Sequence, residues 1–100
     1  MSDKVLKLND IQRTVKPLAE KYNISEVYIF GSYARNEATA ASDIDFLVLG
    51  GKDFKLTSVF AFAEELRRII KKEIDVFEIN EVNRNSTFYN MIMKERVRVA

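Results

Sequence analysis

The sequence predicts a mixed α/β (α+β) domain, a small mixed β-sheet flanked by helices. Apolar residues recur at helical spacing in some segments and form short β-prone runs in others, and the two kinds alternate along the chain. At 100 residues, with 47% hydrophobic and 31% charged, the chain is ordinary globular material. A chain of this length buries about two-thirds of its unfolded surface, enough for one core. Residues 1–100 are therefore expected to form one domain.

Ile11, Val15, Leu18, Ala19 and Tyr22 mark a first helix, with Asn9 or Asp10 as cap and Asn23 as stop. Pro17 inside it predicts a kink or an opened turn. Val27 to Phe30 reads as a first strand ending at Gly31, and Ser32 to Arg35 as a helical turn directly after it. Ile44 to Leu49 reads as a second strand closed by Gly50-Gly51. Val59, Phe60, Ala63, Leu66, Ile69 and Ile70 predict an amphipathic helix capped by Thr57 or Ser58. Its acids come early and its bases late, matching the helix dipole. Glu73 to Ile79 reads as a third strand, a last helix begins near Ser86, and Val97 to Val99 reads as a short terminal strand.

Composition removes whole classes of chemistry. There is no Cys and no His, so disulfides, thiolate nucleophiles, imidazole bases and Cys or His metal sites are excluded. Catalysis or metal binding must rest on carboxylates, hydroxyls, amines and backbone. The net charge of +1 argues against nucleic acid as the main partner. Residues 1–8 do not read as a signal peptide, and no run approaches the ~20 apolar residues of a membrane span. A cytoplasmic location without membrane contact is the resulting expectation.

Two places carry candidate chemistry. Gly31-Ser32, at a strand end turning into a helix, presents backbone N–H groups and a hydroxyl suited to phosphate; the same pair also serves as an ordinary turn. In Ser42-Asp43-Ile44-Asp45 the two Asp lie two apart, so both side chains face one side of a strand. Such like charges repel unless a divalent cation such as Mg²⁺ joins them, or unless they are a solvated strand entrance with Ser42 capping a turn. Asp75, inside the apolar run Ile74-Asp75-Val76-Phe77, either lies on an exposed face or joins them as a third carboxylate. Two-metal phosphoryl-transfer sites use that arrangement. Arg35 either steadies phosphates or pairs with Glu37 or a core-edge carboxylate. Arg67, Arg68, Lys71 and Lys72 read as a solvated helix face, and the basic C-terminal residues as solvated surface. Most of the Phe residues read as core, with Phe54, Leu56 and Phe62 as a candidate partner surface.

Taken together, Val27-Tyr28-Ile29-Phe30-Gly31-Ser32-Tyr33-Ala34-Arg35, the spacer, and Ser42-Asp43-Ile44-Asp45 resemble the minimal nucleotidyltransferases of the DNA polymerase beta superfamily. The Lys94-Glu95-Arg96-Val97 tail is also similar, so the resemblance spans nearly the whole chain. One position departs from it: Asn36 stands where the family has Gly, and Asn tolerates the left-handed backbone such a turn needs. The resemblance implies the nucleotidyltransferase fold. It implies phosphate binding by Gly31, Ser32 and Ser42, and two Mg²⁺ held by the catalytic carboxylates Asp43, Asp45 and Asp75. ATP is the implied substrate, and AMP transfer to a hydroxyl of a HEPN toxin, a tyrosine, the implied antitoxin activity. Three alternatives stay open: neutralisation of the HEPN partner by binding alone, a nucleotide-binding subunit of another nucleotidyltransferase, and a homo- or hetero-oligomer.

Overall fold

The computed structural model describes residues 5–51 and 54–100. Its elements follow the predicted order: α1 (Leu8–Lys21), β1 (Ile24–Phe30), β2 (Ile44–Gly50), α2 (Thr57–Ile70), β3 (Ile74–Glu78), α3 (Thr87–Glu95) and β4 (Val97–Arg98). Short 3-10 turns at Gly31–Tyr33 and Ile79–Glu81 follow β1 and β3. The sheet order is β3-β2-β1-β4. β1 pairs antiparallel with both β2 and β4, and β2 pairs parallel with β3. The sheet is therefore mixed, with α2 as the crossover a parallel pair requires.

Strand alternation sorts the side chains into two layers. Val27 and Ile29 of β1, Ile44, Phe46 and Val48 of β2, and Ile74 of β3 join Ile11, Val15, Leu18, Phe62, Leu66 and Ile70 of α1 and α2 in the main core. The opposite face carries Phe30 and Leu47, packed with Val82 and with Ile92 of α3. Helices thus flank both faces: α3 covers the second face because Tyr89, Ile92 and Met93 form its own apolar stripe.

Local expectations fared unevenly. α1 runs unbroken through Pro17; the ring removes the usual donor to the Arg13 carbonyl, which lies on the helix's exposed side. Neither Asn9 nor Asp10 caps it, because the helix already begins at Leu8 with Lys7 before it, and Asp10 lies in the first turn. α2 likewise has Leu56 rather than Thr57 or Ser58 at its cap position, with no side-chain cap bond. Ser86 does cap α3, its hydroxyl accepting from the Tyr89 N–H at 3.0 Å. β1 begins three residues earlier than predicted, with a bulge between Ile24 and Glu26 where it pairs with β2.

Two surface readings are corrected. Lys72 is buried and donates to the Ala40 carbonyl at 2.9 Å, and Arg67 pairs with Glu64 and donates to the Ile74 carbonyl. A long apolar stem lets such a side chain lie in the interior while its head finds oxygen. Phe62 is 0% exposed in the core, while Phe60 is 74% exposed and Leu56 65%. The exposed apolar side chains here are therefore Leu56, just before α2, and Phe60 and Ile69 on it. No helix among the described residues is long and apolar enough to cross a membrane.

Candidate active site

Strand register assembles the site. β2 runs back along β1, so the end of one lies beside the start of the other: Phe30 pairs with Asp45. β3 runs parallel to β2, and Asp45 pairs with Asp75. The Gly31 turn, Asp45 and Asp75 thus stand in a row across three strands at one end of the sheet. By alternation Asp45 shares the face of Leu47, and Asp75 that of Phe77, which is the α3 face. Asp43 sits one residue before β2.

A cleft of about 450 Å³ opens there, lined by Gly31, Ser32, Arg35, Ser42, Asp43 and Asp45 on its polar side. Its apolar side is Phe30, Phe77, Phe88 and Met91. The three Phe rings pack on one another with centroids 5.5–5.9 Å apart in tilted and edge-on pairs, so they form a stiff wall. Asp75 lines a second groove, of about 440 Å³, between β3 and the Leu56–Phe60 side of α2.

The turn itself is built for close approach. Gly31 has φ +75°, and a Cβ there would meet Asp45 Oδ2 at 2.5 Å. Only glycine accepts both constraints. Its N–H donates to Glu95 Oε1 at 2.8 Å. The turn closes with Arg35 N–H on the Gly31 carbonyl at 3.0 Å and Glu37 N–H on the Ser32 carbonyl at 2.9 Å. Asn36 is left-handed, φ 60°, at the position where the resembled family has Gly. Ser42 Oγ accepts from the Thr39 N–H at 2.8 Å, so this hydroxyl shapes the loop as well as lining the cleft. Arg35 bonds Glu37 at 2.8 Å and both oxygens of Glu95 at 3.1 and 3.2 Å.

Electrostatics single out Asp45. Its half-buried carboxyl is pushed up from 3.8 to about 6, first by burial and then by the charges of Asp75 and Asp43, with Arg35 opposing. An all-carboxylate donor set suits a hard cation such as Mg²⁺, and that crowding is what a divalent cation would relieve. Among the described residues no group of three carboxylates stands gathered for a metal ion. Asp43 and Asp45 are close along the chain, and Asp75 reaches the same face from the next strand.

The sequence did not point to Glu95 or to the Phe77–Phe88–Met91 wall. Glu95 lies 64 residues from Gly31 along the chain, and only strand pairing brings them together. Its sequence signals are its place in the tail that resembles the family and an acid set between Lys94 and Arg96 just before a terminal strand, neither of which gives it a role.

The family described as "Polymerase beta, Nucleotidyltransferase" matches residues 13–99. A Methanocaldococcus jannaschii protein named as a candidate protein adenylyltransferase is 37% identical over 78 residues, covering 78% of this chain and 84% of that protein. Two solved structures share the fold. A toxin–antitoxin with AMP-PNP gives a TM-score of 0.74 at 16% identity, covering 89% of this chain and 72% of the other. A complex of tri-AMPylated Shewanella oneidensis HEPN toxin with its MNT antitoxin gives 0.69 at 14% identity, covering 94% and 72%. By the family match over residues 13–99 and the 37% identity to the Methanocaldococcus protein, the chain belongs to the polymerase beta nucleotidyltransferase family.

Proposed function

We propose that the protein transfers AMP from ATP to a hydroxyl of a protein partner, a tyrosine of a HEPN toxin, and so acts as its antitoxin. The observation that carries this reading is the row of Gly31, Asp45 and Asp75 at one sheet end. It sets the glycine turn against Asp45, whose ionisation is held back first by burial and then by the charges of Asp75 and Asp43. The relatives' named activity and the AMPylated toxin bound to a protein of this fold support the direction of transfer.

In this reading the Gly31–Ser32 turn and Ser42 bind and orient the triphosphate. Asp43 and Asp45, with Asp75, hold Mg²⁺, two ions, which lowers the charge barrier to phosphoryl transfer. The acceptor hydroxyl attacks the α-phosphorus, the bond to the bridging oxygen breaks, and pyrophosphate leaves. Asp75, exposed on the neighbouring strand, takes the hydroxyl proton. The Phe wall excludes water from that side of the cleft. The acceptor comes on the partner.

The test is transfer of label from α-labelled ATP, with Mg²⁺, to the protein encoded beside this one, which the reading expects to be a HEPN protein. Label on the partner is expected, falling more than 100-fold in Asp43→Ala as for loss of a group acting on the reacting atoms. Unlabelled partner, with Asp43→Ala still protective, favours the second reading. That reading is neutralisation by complex formation alone, and it draws on the absence of a gathered three-carboxylate group among the described residues.

A further inference from the structure

The C-terminal strand does more than close the sheet. β4 pairs antiparallel with β1, Tyr28 opposite Arg98 and Ile29 opposite Val97. Continuing that register two residues along each chain brings Glu95 beside Gly31. Glu95 is the last residue of α3, so a helix end and a strand start both fix its backbone. Its side chain is only 17% exposed.

What that side chain does there is specific. Oε1 accepts from the Gly31 N–H at 2.8 Å and from Arg35 Nη1 at 3.1 Å, and Oε2 lies 3.2 Å from the same nitrogen. Arg35 in turn donates its own N–H to the Gly31 carbonyl. Gly31, Arg35 and Glu95 therefore form a closed circuit around the left-handed residue of the turn. The guanidinium balances the carboxylate, so a negative group can stand this close to a phosphate site. The Gly31 N–H is already engaged, which leaves Ser32, lining the cleft, as the residue of the pair that meets phosphate.

We infer that Glu95 is the positioning residue of the phosphate turn: carried in by β4, its carboxylate holds the Gly31 N–H and Arg35, and so fixes Gly31–Ser32 in the shape that receives the nucleotide. The inference rests on the nucleotide-transfer reading and adds a residue from the far end of the chain to it. Arg35 acts through Glu95 and the turn rather than on phosphate.

The experiment compares wild type, Glu95→Ala, Glu95→Gln and Glu95→Ala/Arg35→Met by calorimetric titration with ATP and Mg²⁺, and by exchange of the Gly31 amide in NMR. Glu95→Ala is expected to weaken ATP about tenfold, the scale of one charge-assisted hydrogen bond, and to expose the Gly31 amide to exchange. Glu95→Gln keeps an oxygen for that N–H and is expected within about threefold of wild type. The double variant is expected to bind no worse than Glu95→Ala, because the two residues act as one unit. Wild-type affinity in Glu95→Ala overturns the inference, and so does tighter binding, which would make the carboxylate a competitor of phosphate. Should Glu95→Ala fail to fold, Glu95→Gln with an unprotected Gly31 amide overturns it equally. A wild-type chain that binds no ATP overturns the nucleotide reading instead, and the amide exchange then still decides whether Glu95 holds the turn.

Discussion

Asp45 is where function and stability pull against each other. Folding places its carboxyl half-buried between Asp43 and Asp75, which pushes it up from 3.8 to about 6. The folded chain therefore binds a proton there that the unfolded chain has already released. A raised pKa contributes stability below the unfolded value, and that contribution is lost as pH rises to the folded one. The window is about pH 4 to 6, and above it the ionised carboxylate is a standing cost. Solvent screening at a half-exposed site leaves roughly 1 kcal/mol of it. Asp45→Asn removes the charge and keeps the shape, so without divalent cations it is expected to melt several degrees above wild type at pH 7.5. The gap should close near pH 4, by thermal denaturation followed at both pH values. Equal melting at pH 7.5 would mean that Asp45 is not strained by its neighbours. Mg²⁺ should raise the wild-type midpoint more than that of the variant.

Elements show where local sequence rules hold and where they yield. α2 is closed, just after Ile70, by Lys71, which takes a left-handed conformation at φ 59° and donates its N–H to the Arg67 carbonyl. Lysine has no local reason to be there; glycine is the residue such a cap prefers. The chain accepts the strain because Lys72, the next residue, must turn inward to the Ala40 carbonyl. Lys71→Gly should stabilise the protein by about 0.5–1 kcal/mol, read from a urea midpoint at unchanged slope. A loss of stability would show that the lysine side chain holds something in place. The strands and helices were legible because their periodicities are set by burial, and Asn36 was legible because few residues accept its backbone. The caps of α1 and α2 were not, because Lys7 and Leu56 make no side-chain cap bond and so carry no capping residue type for the sequence to show. The candidate carboxylates were legible as a spacing, Asp43 to Asp45, plus an acid out of place in an apolar strand. Glu95 was not, since its link to Gly31 exists only in the β1–β4 register.

On the scale of the molecule, sheet order decides which side chains become core, and α2 shows how narrowly. Phe60 and Phe62 both fall in its apolar run, two residues apart, and helical spacing alone puts Phe60 with the buried set. The sheet lies under Phe62, Leu66 and Ile70, all buried, which turns Phe60 and Leu56 outward. The result is an apolar edge beside β3 that leads to Asp75, both lining the same groove. Burial and exposure make opposite predictions for two chemically identical substitutions. Phe62→Ala should cost about 3–5 kcal/mol, the transfer free energy of the ring plus the cavity it leaves. Phe60→Ala should stay within about 0.5 kcal/mol of wild type, as surface changes do. Parallel urea denaturation of the two variants measures both. A loss above about 2 kcal/mol for Phe60→Ala would place that ring in a buried contact of the isolated chain, and the apolar edge beside Asp75 would then be core rather than surface.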